Sequence, residues 1–279
     1  MALDASMGHA GTVSIQTTSM PVLSDTVKKI GTHVEREGLR GTRSHNVGDV
    51  RVGPYEVAGT IVLNPTSAEL DFLYTYILGT GKVLTEELPA FELVSDRVAA
   101  VHTFAGCKVD RATLRGTAGA LLELVLEVVG ITETVSGSAP AEPTSALSFL
   151  MSDCTLTLGG SAREVDRFEL TIDNRLVRGR FMNGLVVTDI PEGDRIITLA
   201  TNHDYNAANL ALYEQALAGA VGTLVITDGT KTHTITLAIC QLPAESPVLE
   251  GKGPIALPLM MTVRKEDGAT LELAAVVTP

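Results

Sequence analysis

The feature that most constrains the fold is a stretch that occurs twice in the chain. Residues 53–79 match residues 193–219 at a shift of 140, without a gap. The match keeps residue type at spaced positions: Gly53 with Gly193, Val57 with Ile197, Asn64 with Asp204, Leu70 with Leu210, Ile77 with Leu217 and Gly79 with Gly219. A repeat of this kind predicts two copies of one structural unit.

Each copy is predicted to be a strand followed by a helix. The strands are predicted over Tyr55 to Leu63 and Arg195 to Leu199, where β-branched and apolar residues dominate. In the first copy an apolar stripe near helical period follows, and Pro65 stands at the first helical position, where the missing N–H costs nothing.

The ends of the two helices are predicted from capping residues. Asn64 and Asp204 are the predicted N-caps, because their side chains accept a hydrogen bond from an N–H without a partner in the first turn. Gly79 and Gly219 are the predicted C-terminal caps, since a left-handed cap favours glycine.

Two further segments align when Gly116 is placed on Gly251. The segment after Gly116 has apolar residues at both helical and strand spacing, but Leu124 then meets Leu259 and Glu123 meets Pro258. A proline in mid-segment breaks a helix and is allowed in an edge strand. Both segments are therefore predicted to be strands.

The composition of residues 136–146, SGSAPAEPTSA, is that of a linker. It divides the chain into predicted domains at 1–138 and 139–279. The remaining runs alternate in hydropathy between turn signals, and hairpins are predicted at Asn183-Gly184, Asp228-Gly229 and Glu266-Gly268. The predicted fold class is mainly β (α+β): two tandem β-sandwich or barrel domains, each with one flanking helix.

Composition and charge exclude several classes of protein. Apolar residues make up 45% of the chain, yet no apolar run approaches the roughly 20 residues of a membrane helix. The N-terminus has Asp4 and no positive region before an apolar core, which argues against a secretory signal. A formal charge of −12 opposes tight nucleic-acid binding, which needs clustered Lys and Arg.

No group of residues predicts catalysis, a metal or a cofactor. The three cysteines lack metal spacing and are predicted to be small buried hydrophobes, and Gly159-Gly160-Ser161 lacks the glycine of a nucleophile elbow. His203 and His233 have no second ligand at metal spacing. Glu123 and Glu127 share one predicted strand face, which is interpreted as a solvated face. We therefore expect no enzyme activity.

Arginines precede both copies of the repeat at similar displacements. They are Arg40, Arg43 and Arg51 before the first, and Arg175, Arg178 and Arg180 before the second. We interpret them as contacts between subunits or rings, since Arg makes bidentate pairs with carboxylates. A nucleic-acid patch is a second reading, although only 4% of residues are aromatic. Surface arginines with no special role are the third.

The order and spacing of motifs along nearly the whole chain resemble the tail tube proteins of long-tailed bacteriophages. The motifs are EREGLRGTRS (35–44), LYTYILG (73–79), FAGCKVDRATL (104–114), FELTIDNRL (168–176), TDIPEGDRIITL (188–199) and the closing ELAAVV (272–277). The resemblance implies a structural virion protein that stacks as rings around a channel for genome ejection. It also implies assembly in the host cytoplasm, with the same chain, a tape-measure protein and other tail proteins as partners and with phage DNA passing unbound.

The duplication sharpens this expectation. Where family rings hold six copies of one domain, a chain with two copies predicts a trimer with pseudo-sixfold symmetry. The alternative is a true hexamer whose second half decorates the outside. We also hypothesise a lumen lined with carboxylates, from the charge of −12 alone. Residues 80–90 and 23–51 are candidate arms between rings.

Other functions remain open at this point. A tail terminator or a baseplate ring protein would share the same fold. A non-catalytic carbohydrate-binding or surface-binding double β-domain is a further alternative, although the chain has no Trp for a binding platform.

Overall fold

A computed structural model describes residues 8–38, 44–135, 137–181, 184–242, 255–268 and 271–279. The chain is mainly β, with 52% strand and 12% helix, which confirms the predicted fold class. The described part of the first half (1–138) contains β1 (Val13–Ile15), β2 (Thr18–Met20), β3 (Val22–Asp25), β4 (Lys28–Glu35), β5 (Val50–Leu63), α1 (Ser67–Ile77), β6 (Phe91–Asp96), β7 (Val101–Thr117), β8 (Glu123–Gly130) and β9 (Thr132–Val135).

The second half (139–279) has a similar order of elements. Its described residues contain β10 (Cys154–Leu158), β11 (Ser161–Arg163), β12 (Arg167–Asp173), β13 (Ile196–Asp204), α2 (Ala207–Ala218), β14 (Ala220–Thr227), β15 (Thr232–Gln241), β16 (Ala256–Arg264) and β17 (Leu273–Thr278). The described residues of the predicted linker, 137–146, contain no strand, and Thr12 Oγ1 donates to the Pro140 carbonyl at 3.2 Å.

Apart from β3, the two halves share one pattern of strand pairing among the described residues. In the first half β1 pairs with β2 and β6, β3 and β4 pair with β5, β5 pairs with β8, and β7 pairs with β6, β8 and β9. In the second half β10 pairs with β11 and β14, β12 with β13, β13 with β16, and β15 with β14, β16 and β17. The helices α1 and α2 begin at Ser67 and Ala207, which are 140 residues apart, as the sequence repeat is.

One antiparallel sheet, here called the main sheet, runs through both halves. Its order is β4, β5, β8, β7, β12, β13, β16, β15, with β3 continuing the line of β4. The halves meet where β7 pairs with β12 over seven positions, from Arg111 opposite Asp173 to Thr117 opposite Arg167. This pairing is called the junction.

One face of the main sheet is apolar and holds the core. Alternate residues of successive strands are buried there, among them Ile61, Leu126, Leu114, Leu170 and Leu199. The helix α1 adds the buried Leu70, Leu73 and Ile77 to the same core. Each such side chain contributes about 1.5–3 kcal/mol by leaving water, so the sheet is stabilised from this one face.

The predicted N-caps are wrong in both helices. Thr66 caps α1, with its Oγ1 accepting from Glu69 N at 3.3 Å while Glu69 Oε2 accepts from Thr66 N at 2.8 Å. Asn64 instead donates from Nδ2 to the Leu122 carbonyl at 2.7 Å, so a contact with the chain before β8 takes its side chain.

Asn206 caps α2, because Asp204 is the last residue of β13 and pairs with Ala256. The side chain of Asn206 accepts from Asn209 N at 3.0 Å. The two glycines predicted at the other ends do follow the helices: Gly219 is the C-cap with φ +96°, and Gly79 comes after the C-cap Leu78 with φ +129°.

Three predictions about strands can be compared with the structure. The segments aligned through Gly116 are strands, β8 and β16, as predicted. Their register differs by two residues from the predicted one, because Leu63 lies opposite Leu124 while His203 lies opposite Leu257. A shift of two keeps the same face buried, and the hydropathy pattern therefore could not reveal the error.

The hairpin at Asp228-Gly229 is present and joins β14 to β15. The hairpin predicted at Glu266-Gly268 is wrong, since β17 pairs with Thr232–Leu237 of β15 and β16 pairs with the end of the same strand. Asn183 lies outside the described residues, and its described flanks, 174–181 and 184–195, contain no strand.

Candidate assembly surface

The junction joins the halves through both faces of the main sheet. On the apolar face Leu114 lies opposite Leu170, and both side chains are buried. On the other face Thr113 Oγ1 and Thr171 Oγ1 are 3.2 Å apart, within hydrogen-bond distance. Cross-strand pairs of this kind add to the backbone ladder. The first and second halves are thereby held as one continuous sheet.

The described residues of the segment between β12 and β13, 174–181 and 184–195, fold against the first half; we call them the clasp. Glu192 Oε1 accepts from Lys108 Nζ at 2.8 Å and from Leu88 N at 2.8 Å, and Lys108 Nζ also donates to the Ile190 carbonyl at 3.0 Å. Burial raises the pKa of Glu192, but the hydrogen bonds from Lys108 and Leu88 outweigh it, and the pKa is lowered.

Apolar contacts and a second carboxylate complete the clasp. A small cluster, separate from the main core, buries Leu88, Val129, Leu176, Val187 and Ile190. Asp110, in β7, accepts from Leu176 N at 2.8 Å through Oδ1 and from Arg178 through Oδ2.

The clasp also fixes the loop that follows α1. Arg195 donates to the Thr85 carbonyl, and the Glu192 carboxylate accepts a hydrogen bond from Leu88 N. Residues 80–90, predicted as an arm between rings, are therefore held by contacts within one chain.

The face of the main sheet opposite the core carries charges in cross-strand rows. Arg111 of β7 pairs with Glu127 of β8 at 3.2 Å and with Asp173 of β12 at 2.9 Å. Four residues further along β7, Arg115 donates from Nε to Glu123 at 2.8 Å. The hydrogen bond to Asp173 is the main cause that raises the pKa of Arg111. We call Arg111, Arg115 and their carboxylate partners the charge rows.

The six arginines predicted as contacts between subunits lie in three places. Arg40 and Arg43 lie outside the described residues. Arg51 is exposed near the start of β5. Arg175, Arg178 and Arg180 are exposed in the clasp, where Arg178 pairs with Asp110 of the same chain. The assembly role of these arginines stays a prediction, and for Arg178 the structure assigns a partner within the chain.

The charge rows were missed as a site by sequence reasoning. The sequence does contain a signal, because Arg111 and Arg115 are four residues apart in one strand, as Glu123 and Glu127 are in the next. Strands joined by a short turn place such pairs opposite each other on one face. Lys108 and Glu192 have no local signal, since 84 residues separate them.

Reactive groups do not converge in the described part of the chain. No group of three or more His, Cys, Asp or Glu there is placed to hold a metal ion. Burial raises the pKa of each of the thiols of Cys107, Cys154 and Cys240 to about 12, which keeps them protonated and unreactive at neutral pH. Among the described helices, none has the length and apolar character to cross a membrane.

A two-part antiparallel sheet with one polar face, whose end strand β4 has β5 as its one strand partner among the described residues, defines a β-structural protein suited to self-association. Residues 5–273 match the family model described as phage tail tube protein. The chain belongs to this family of structural proteins, which are components of the virion, and the predicted resemblance is confirmed. A search of curated proteins finds no match.

Proposed function

We propose that the chain polymerises as stacked rings that form the tube of a phage tail, the channel through which the genome is ejected. The observation that carries this proposal is the main sheet, whose eight strand positions begin at β4 and finish at β15. Among the described strands β4 has one pairing partner, β5, and a sheet removes such an open edge by closing on itself through further copies.

The ring is proposed to contain three copies. The shared pairing pattern supports this, because each half contributes four strand positions in the same order. Three copies of eight strands give a barrel of 24. With strands about 4.8 Å apart and tilted about 40°, its backbone would lie about 24 Å from the axis and leave a lumen about 40 Å wide. A ring of six chains would leave a lumen about 85 Å wide on the same geometry.

The polar face of the main sheet is proposed to line the lumen, since the core and the helix α1 occupy the other face. In this proposal the charge rows explain why DNA would slide through the lumen without adhering to its wall. Each arginine of the rows is already paired with a carboxylate, so phosphates meet few unpaired cations. This paired wall replaces the purely acidic wall that the net charge suggested.

The proposed partners are further copies of the chain, a tape-measure protein and other tail proteins. Assembly would take place in the host cytoplasm, and DNA would pass through the lumen without specific binding. The acidic surface fits this arrangement, because net negative charge keeps unassembled subunits soluble.

Electron microscopy and mass measurement of purified rings test the proposal. Three chains of 29.4 kDa give a ring of about 88 kDa, and six give about 176 kDa. Rings or tubes with the smaller mass per ring would support the three-copy ring. Rings of the larger mass would refute the stoichiometry, and dispersed monomers under all conditions would refute the tube.

A further inference from the structure

The helix α1 of the first half packs against the second half of the same chain. Ser67 Oγ is 2.8 Å from Nε2 of His233 in β15, and the ring centroids of Tyr74 and His233 are 5.8 Å apart. Ile235 of β15 and Leu273 of β17 line one small apolar cavity together with side chains of α1. One face of α1 is covered in this way. Its members are all buried: Ser67, Leu70, Tyr74, Ile77 and the C-cap residue Leu78.

The corresponding face of α2 is exposed. A shift of 140 residues, which superimposes the two helices, places Leu210, Glu214 and Ala218 on the buried face of α1, and all three are exposed. Leu210 is 42% exposed, whereas its counterpart Leu70 is 1% exposed. The other side of α2 is packed in its own half, where Leu212 is fully buried. We call Leu210, Glu214 and Ala218 the α2 face; in the described structure it lacks the cover that the second half gives to α1.

The strand β7 in the first half is the counterpart of β15, on which α1 packs. In each strand the register with the preceding hairpin partner shifts near a cysteine, Cys107 in β7 and Cys240 in β15. Counted back from these cysteines, His102 stands in β7 where Ile235 stands in β15. The strands paired beside them, β9 and β17, correspond as well. The first half therefore contains a second surface of the same construction.

This second surface is polar where its counterpart is apolar. Glu133 of β9 stands where Leu273 stands in β17, and its Oε1 is 2.8 Å from His102 Nδ1. The His102 ring stacks on the buried ring of Phe104, and the guanidinium of Arg97 lies 5.7 Å from the centroid of that ring. The Arg97 side chain is 37% exposed, so the surface presents a cation to solvent. We call His102, Glu133 and Arg97 the β7 surface.

We infer that the α2 face packs on the β7 surface of a second copy of this chain. The contact rests on the proposed ring, and it repeats between chains the packing that α1 makes within one chain. Leu210 takes the place of Leu70 in this contact, and Glu214 brings a carboxylate to a surface that carries Arg97. Opposite charges of this kind favour one partner and one orientation. The polar residues on both sides also keep the two surfaces soluble before assembly.

A carboxylate at position 210 tests the contact. Leu210→Asp puts a charge where the contact would bury an apolar side chain, and burial of an unpaired charge is costly. We expect this variant to need at least about tenfold more protein than the wild type to form rings or tubes. Because Leu210 is already exposed in the single chain, the melting temperature of the unassembled variant should stay within a few degrees of the wild type.

The neighbouring position provides a matched control on the same helix. Ala211 is exposed and corresponds to Asp71 in α1, where the carboxylate pairs with Lys82 of the same chain. A carboxylate is thus accepted at this position of a covered helix. We expect Ala211→Asp to assemble within about threefold of the wild type.

Crosslinking tests directly whether the two surfaces meet. Tyr74 and His233 are in contact within the chain, and their counterparts on the α2 face and next to the β7 surface are Glu214 and Ala100. Assemblies made from a mixture of Glu214→Cys and Ala100→Cys chains, treated with a short thiol-specific crosslinker, should give covalent dimers on a denaturing gel. Assemblies of either variant alone should not, because the contact joins unlike surfaces of the two chains.

The outcomes separate this contact from the tail tube itself. Equal assembly of Leu210→Asp and Ala211→Asp, or no more dimer in mixed assemblies than in those of one variant, would overturn the contact and leave the tail tube intact. If Leu210→Asp misfolds, the crosslinking decides alone, and if a cysteine variant does not assemble, the two aspartate variants decide. A wild type that never assembles would overturn the proposed function and the contact with it.

Discussion

The buried pair of Lys108 and Glu192 allows a quantitative test of how the clasp is held. Glu192→Ala would leave the Lys108 ammonium with the Ile190 carbonyl alone, and Leu88 N without an acceptor. Breaking a buried ion pair costs about 3–5 kcal/mol, and an unsatisfied buried N–H costs about 1–3 kcal/mol. The side chains are 9% and 16% exposed, so some water reaches them and the lower limits apply. We expect a loss of about 4 kcal/mol in the free energy of unfolding.

A double-mutant cycle isolates the pair. Lys108→Met removes the ammonium and is expected to cost about 2–3 kcal/mol, because Leu88 N still partly compensates the carboxylate. Adding Glu192→Ala then removes the uncompensated charge, so the double variant should lose far less than the sum, with a coupling of at least about 2 kcal/mol. Urea unfolding followed by circular dichroism measures the free energy of unfolding of each variant, and the variants can be compared when the slope against urea concentration, m, is the same for all.

The exposed pair of Arg115 and Glu123 provides the matched control. Its side chains are 49% and 29% exposed, and Glu123→Ala should cost about 0–1 kcal/mol. The reasoning would be refuted if Glu192→Ala cost no more than this control. Strict additivity of the two single changes at Lys108 and Glu192 would refute it as well.

Three further predictions follow from single contacts. Thr66→Ala should destabilise the protein by about 1 kcal/mol and Thr66→Ser by much less, measured by urea unfolding, because the hydroxyl caps α1; equal losses would contradict the assignment. Burial is the main cause that lowers the pKa of His233, with Lys82 and Lys231 adding to it and Asp71 and Asp228 opposing. The unfolded chain therefore takes up a proton first, and stability should fall as the pH drops below about 6.5 towards the folded pKa. His233→Gln should make the free energy of unfolding depend less on pH in unfolding experiments between pH 5 and 8. The pH dependence that remains is expected from His203, whose pKa is also lowered by burial. An unchanged pH dependence in the variant would exclude His233 as the cause. The double variant Glu127→Gln, Asp173→Asn should free Arg111 to bind duplex DNA at low salt, and the salt dependence of the DNA affinity should steepen by about one phosphate contact. The control variant Glu142→Gln should show neither effect. Fluorescence anisotropy measures the binding of both variants, and equal binding would contradict the role of the charge rows.

The repeated unit could be predicted from the sequence because its signals are local. Strand alternation, the apolar stripe of α1 and the glycines after both helices each depend on residues within a few positions of one another. The N-caps show where local reasoning fails. Asn64 and Thr66 are both good caps, and the choice between them is made by the Leu122 carbonyl, 58 residues away, which takes the Asn64 side chain. The Thr66-x-x-Glu69 pattern was the overlooked local signal.

The assembly surface was harder to predict because its contacts are long-range. The junction pairs β7 with β12, and no feature of either strand specifies the other as its partner. Strand alternation did predict that Glu123 and Glu127 share a face, but it could not place Asp173 beside Arg111 without the junction. The predicted arginine contacts failed to anticipate Asp110 for the same reason, since Arg178 meets it from 68 residues away.

The halves differ where loops, not strands, decide the contacts. In the first half residues 80–90 separate α1 from β6, and the clasp forms hydrogen bonds with that loop at Thr85 and Leu88. In the second half Gly219 alone lies between α2 and β14. In the order of elements the stretch between β4 and β5 takes the position of the clasp, and Val34 and Val52, in the two flanking strands, are exposed. In the proposed three-copy ring, the barrel should therefore repeat with nearly sixfold symmetry while the surface loops repeat with threefold symmetry. A tube reconstruction computed without imposed symmetry would test this, and loops that are sixfold equivalent would contradict it.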